Sequence, residues 1–214
     1  MTQKFLDAVH SLTPKDDLQN FYNSWLALPY NEHLTKIYDA DVTALISPLH
    51  HKGQLPLDYK LLVMGVDVGQ NQSHWVISAI TSDNRLSVVD WGTLLSFETT
   101  PANVGVAGLF DSVTYTDNAG NEYKPDICLI DCGYATTEVL EECLRAALPG
   151  TIIPVKGSGE NKQGAWAKSQ IRTMPAAPFP LLLFSDFQLK RALYISTIQE
   201  KRLTLPAETD NALI

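Results

Sequence analysis

The chain has 214 residues, 24 Asp and Glu, 16 Lys and Arg, a formal net charge of −8 and 45% hydrophobic residues. That length suits one ordinary domain with an appended arm, and 19% charged with 9% aromatic residues is far from a disordered composition. No apolar run reaches the roughly 18 residues of a membrane span, the N-terminus lacks a signal-peptide core, and three cysteines (Cys128, Cys132, Cys143) without metal-ligand spacing point to a reduced, cytosolic chain.

Taken alone, −8 argues against a nucleic-acid partner. The average hides an asymmetry, however. Residues 1–150 carry 8 Lys and Arg against 19 Asp and Glu, whereas residues 151–214 carry 8 against 5. Such a split hints at a polyanion-facing side in the second part.

In chain order, Thr13-Pro14-Lys15-Asp16 reads as a helix start: a capping hydroxyl, a proline at the first helical position and acids at the positive end of the dipole. Leu18, Phe21, Tyr22, Trp25 and Leu26 follow at helical spacing until Pro29. Residues 30–60 have no sustained period and carry Pro48, Gly53 and Pro56. The expected organisation is an N-terminal helix and connector arm over 1–60 and the main domain over 61–214.

Leu61-Leu62-Val63-Met64-Gly65-Val66 is a continuous apolar run, as in a strand covered on both faces. Residues 74–81 and 86–91 make two further strands, with Asp83-Asn84 as turn chemistry between them, so these three form an antiparallel meander. Residues 102–115 form a helix weakened by Gly105 and Gly108. A buried strand follows from Ile127 to Ile130. A helix then starts at Thr136 or Thr137 and runs through Leu148, with Val139, Leu140, Cys143 and Leu144 on one face and Pro149-Gly150 as its stop. Thr151–Val155 is a strand, 157–180 a long polar then Pro-rich loop, Leu181–Phe184 a strand and 186–199 a helix. The pattern is α/β with a mixed sheet.

Two carboxylates stand out by position. Asp67 and Asp131 each sit where a buried strand emerges, the usual place for sites in open α/β sheets. Their strands are neighbours in the proposed order, so the pair can share Mg²⁺ or Mn²⁺, hard cations that prefer oxygen. Two such ions about 4 Å apart suit phosphodiester cleavage. Read for structure alone, each Asp caps a turn at a strand end.

Four stretches carry a resemblance. Phe21-Tyr22-Asn23-Ser24-Trp25-Leu26-Ala27-Leu28-Pro29-Tyr30, Gly65-Val66-Asp67-Val68-Gly69-Gln70, Ile130-Asp131-Cys132-Gly133-Tyr134-Ala135-Thr136 and Val155-Lys156-Gly157 occur in the order and spacing of the lambda-type (GpA-type) phage terminase large subunit. They resemble its motor–nuclease linker, its first and second acidic motifs and the Lys-Gly that follows. The resemblance implies a ribonuclease H-like fold and a metal-dependent DNA endonuclease that cuts concatemeric double-stranded DNA during packaging. Asp67 and Asp131 become metal ligands. Lys156 is placed to approach the scissile phosphate or to pair with the acids. Implied partners are the terminase small subunit, the portal and procapsid, and an ATPase motor.

There are departures. No G-x-x-x-x-G-K-[ST] phosphate loop is present, so the motor is absent from this sequence. Cys132 stands where a Ser is common. A third acid is usual in ribonuclease H-like sites, and Asp186 is the best candidate within the chain, although it also reads as an N-cap. In the family the last acid belongs to a segment further downstream than Ile214, which leaves room for an inactive or truncated segment that only docks DNA or portal. Gly65-Val66-Asp67-Val68-Gly69 is also similar to the first phosphate motif of actin-like ATPases and sugar kinases, a duplicated fold for which one meander is too little. His50, His51 and His74 read as surface or packing residues. Trp75, Trp91 and Trp166 are stacking candidates for which packing is the plainer reading in the first two, and Glu98 is a distant site candidate.

Overall fold

The structure, a computed structural model, describes residues 2–9, 21, 26, 39–95, 97, 104–117, 119–158, 166–171 and 179–209. The chain divides into two compact units, Met1–Lys36 and Ile37–Ile214. The first contains helix α1 (Thr2–Val9), in which Gln3 Nε2 donates to Asp7 Oδ1 at 3.0 Å, one turn away. The helix expected from Thr13 lies outside the described residues except for Phe21, which is buried, and Leu26.

The second unit opens with α2 (Asp39–Thr43) and the meander β1 (Tyr59–Val68), β2 (Gln72–Thr81) and β3 (Leu86–Leu95). Asn84, at φ 59°, supplies the left-handed residue of the β2–β3 turn. Then come α3 (Gly105–Ser112), a small hairpin of β4 (Tyr115–Thr116) and β5 (Glu122–Tyr123), β6 (Ile127–Asp131), α4 (Thr136–Arg145) and β7 (Ile152–Ser158). β8 (Trp166–Ile171), β9 (Phe179–Ser185), α5 (Asp186–Ala192), a π-helical stretch Leu193–Gln199 and β10 (Leu203–Thr204) complete it. One eight-stranded sheet runs in the order β10-β3-β2-β1-β6-β7-β9-β8. The pairings β1–β6, β6–β7 and β7–β9 are parallel, and those of the meander are antiparallel. This is the expected mixed α/β sheet of ribonuclease H-like type. Among the described residues no helix is long and apolar enough to cross a membrane.

β8 corrects the expected 157–180 loop: Trp166–Ile171 pairs antiparallel with β9 at the sheet edge. A polar edge strand carries no apolar run to announce it. Residues 39–58 are bound to the sheet, where Gly53 N–H donates to Val89 O (2.7 Å), His50 Nε2 bonds Val88 O (2.7 Å) and Ile46 bridges Leu205.

The core lies on one face of the sheet. Leu62, Met64, Val66, Ile77, Val89, Cys128, Ile130 and Ile152 meet Val106, Ala107 and Phe110 of α3 and Val139, Leu140 and Cys143 of α4. On α4 the inward face differs from expectation: Leu144 is 63% exposed, whereas Glu142 is 0% exposed. The cause is the open end of α3. Glu142 Oε2 accepts from Ala107 N–H at 2.7 Å, Oε1 stands 2.8 Å from Arg145 Nη2, and Gly105, at φ +70°, leaves the space that the carboxylate fills. A carboxylate at a helix N-terminus satisfies an orphan donor and meets the positive end of the dipole.

The C-terminal strap is tied by an exposed acid. Glu208 accepts from Lys52 N–H (2.9 Å) and from His51 Nδ1 (2.8 Å), and these bonds, the backbone one first, hold its carboxyl down at about 2. A depressed folded pKa contributes stability above the unfolded value, and that contribution disappears as pH falls through the folded value. The stability difference between wild type and Glu208→Gln is therefore expected at pH 5 and should shrink progressively towards pH 2, as read by urea unfolding at each pH.

Candidate active site

β1, β6 and β9 run parallel, so their C-terminal ends lie along one edge; β1 and β6 each carry an aspartate there, and Asp186 directly follows β9. Val66 pairs with Ile130, which sets the next residues, Asp67 and Asp131, side by side on strands about 4.8 Å apart. Val66 and Val68 are buried at 5% each, whereas Asp67 between them is exposed. Alternation thus fixes the face: Asp67 leaves the sheet opposite the α3–α4 core.

Register partners share a face, so Asp67 has company. His74 opposes it on β2, and Thr93 opposes His74 on β3. On the other side, Asp131 aligns with Val155, Val155 with Leu182, and Leu182 with Lys168 on the edge strand β8. A polar row from Thr93 to Asp131 is followed by two apolar residues, Val155 and Leu182, and then an exposed lysine. His74 was not separable from a surface histidine in the sequence, because only the register places it beside an acid.

Two glycines clear space beside the acids. Gly133 N–H donates to Asp131 Oδ1 at 3.1 Å, and a Cβ at Gly133 would stand 3.3 Å from both carboxylate oxygens. Gly157, two residues past Val155 and on the same face, is overlaid by Asp186: a Cβ there would collide with Asp186 Oδ1 and lie 3.0 Å from its Cγ and Oδ2. Asp186 is therefore brought to the Asp131 face across β7. It is the first residue of α5 rather than its cap; Ser185 Oγ accepts from Gln188 N–H and fills that role. Lys156 is exposed, and the alternation of β7 sends it to the opposite face, where its charge acts on the Cys132 thiol.

Among the described residues no three His, Cys, Asp or Glu side chains converge closely enough to enclose a metal ion. The arrangement is a carboxylate pair with a third acid one strand away. Its chemistry fits a hard divalent cation: all donors are oxygens, Asp67 makes no hydrogen bond or ion pair among the described residues, and the glycines leave cradles that a Cβ would fill. The thiols do not compete. Burial, the main cause, raises Cys132 and Cys128 and pushes Cys143 to about 12, so all three stay protonated filler.

The remaining candidates lie elsewhere. His51 is taken by Glu208 and His50 by a backbone carbonyl. Trp75 covers Gly92 and packs against the core, and Trp91 lies under Lys52, 4.4 Å from its ring centre. Glu98 and the Trp166 side chain fall outside the described residues. A cleft of about 550 Å³ between Tyr59, Lys60, Asp117 and Tyr123 opens at the other end of β1 from Asp67.

Compared with known proteins, residues 1–206 match the family described as terminase large subunit gpA, endonuclease domain. No curated protein and no solved structure matches the chain. With nearly its whole length matched and its acids set at the parallel edge of a mixed sheet, the chain belongs to the terminase large subunit gpA endonuclease-domain family.

Proposed function

We propose that the chain cuts concatemeric double-stranded DNA during phage genome packaging by metal-dependent phosphodiester hydrolysis, with Asp67, Asp131 and Asp186 as the metal-holding acids. The observation that carries this reading is the β1–β6 register, which sets Asp67 beside Asp131 on the open face of a family-matched nuclease sheet. Asp67, Asp131 and Asp186 would hold Mg²⁺ or Mn²⁺, which would supply the Lewis acidity that phosphodiester hydrolysis requires. Gly133 N–H orients the Asp131 carboxylate by holding Oδ1. Lys168, three strand spacings or about 14 Å from Asp131, and Lys190 on α5 are exposed cations suited to DNA phosphates flanking the cut. Lys156 adds charge at the strand end, on the face away from the acids. The packaging partners are the small subunit, the portal and procapsid, and an ATPase motor.

The test is supercoiled plasmid incubated with the chain and Mg²⁺ or Mn²⁺. Nicking or linearisation is expected with metal, and none with excess chelator. Cleavage that persists in chelator would sink the metal-dependent reading. Absence of cleavage with tight ATP binding would favour a phosphotransferase, and absence of both would favour a docking segment.

A further inference from the structure

We propose that Gly157 is a positioning residue of this site: its missing side chain lets Asp186 lay its carboxylate across β7 onto the face that carries Asp67 and Asp131. The inference rests on the proposed metal site and adds the device that completes it.

The requirement at Gly157 is spatial. Gly53, Gly105, Gly120 and Gly150 adopt the left-handed φ that favours glycine, but Gly157 does not, so alanine suits its backbone. What alanine cannot share is the volume. The added Cβ would overlap Asp186 Oδ1 and press on Cγ and Oδ2 at 3.0 Å. Neither strand can easily retreat. Gly157 pairs with Phe184 and Ser158 with Ser185, and Ser158 Oγ donates to Phe184 O at 3.1 Å. Ser185 in turn caps α5, which fixes the backbone from which Asp186 departs. The movable part is the Asp186 side chain, which has two torsions and turns away from an alanine. Gly157→Ala is therefore expected to leave the fold in place and remove Asp186 from the metal-holding face.

The measurement is Mn²⁺ binding to the full chain, followed by the EPR signal of free Mn²⁺, with thermal unfolding alongside. Gly157→Ala and Asp186→Ala each remove a ligand charge and are each expected to weaken Mn²⁺ binding by more than about 100-fold, above the range of groups that only support a ligand. The double variant is expected to be no weaker than Asp186→Ala alone, because the two changes remove the same ligand. Wild-type affinity in Gly157→Ala, or a double variant weakened by the product of the two losses, would overturn the proposal while the acid site stands. Unchanged affinity in Asp186→Ala, with loss in Asp67→Ala, would remove both Asp186 and the role of Gly157. Unchanged affinity in Asp67→Ala and Asp131→Ala would instead defeat the site itself. If Gly157→Ala fails to fold, Asp186→Ala in the same chain is expected to restore folding; failure of both would overturn the clash as the cause.

Discussion

Plasmid cleavage by Asp131→Asn is expected to fall by more than about 100-fold, with its unfolding midpoint nearly unchanged. Groups that merely support a metal ligand are worth roughly 10–100-fold, so loss of a ligand charge sets a higher floor. Asparagine keeps the shape and an oxygen for the Gly133 N–H, so the turn after β6 survives and only the anion is lost. Asp67→Asn is expected to match it. Asp67 is exposed and has no protein partner among the described residues, so its replacement costs little stability. The two losses should not multiply in the double variant, since both acids act as one unit. Rates of supercoiled-plasmid loss, measured beside thermal melts, check this. Wild-type cleavage by either single variant would refute the assignment of that acid.

The second large effect is on stability. Glu142→Ala is expected to destabilise the second unit by about 3 kcal/mol, from a lost charge-assisted hydrogen bond to Ala107 N–H plus the cavity left at a fully buried position. For a unit of this size that corresponds to a fall of about 6–12 °C in Tm. Glu142→Gln keeps the volume and an acceptor and is expected to lose less than half as much. The ion pair it forfeits counts for little, because Arg145 is 41% exposed and screened by water. Calorimetry of the three proteins decides; an alanine variant within 1 °C of wild type would show that the carboxylate does not tie α4 to α3.

The parts legible in the sequence were those written as local pattern. The apolar runs 61–66 and 127–130 announced β1 and β6, and the aspartates at their ends were visible as polar residues at a buried strand's exit. Asp83-Asn84 and the 186–199 helix were legible for the same reason. What escaped depends on distance across the fold. Glu142 reads as a surface acid until α3 turns an orphan N–H towards it. His74 becomes a neighbour of Asp67 only through the β1–β2 register, and Gly157 gains meaning only from Asp186, a residue on another strand's exit. Ser185, not Asp186, takes the cap because the strand ends one residue earlier than the acid. β8 escaped because an edge strand is held by β9's backbone rather than by its own apolar content.

The Asp67–Asp131 pair also sits on a seam in the order of assembly. β1 reaches β2 and β3 through short turns, so the meander can close early from neighbouring chain. β6 reaches β1 only after α3 and the β4–β5 hairpin have intervened, and parallel pairing over such a separation is slow to form. The two carboxylates come from opposite sides of that seam. A chain folded only as far as its meander holds one of them, so the acid pair forms with the long-range β1–β6 pairing rather than with the first stable piece.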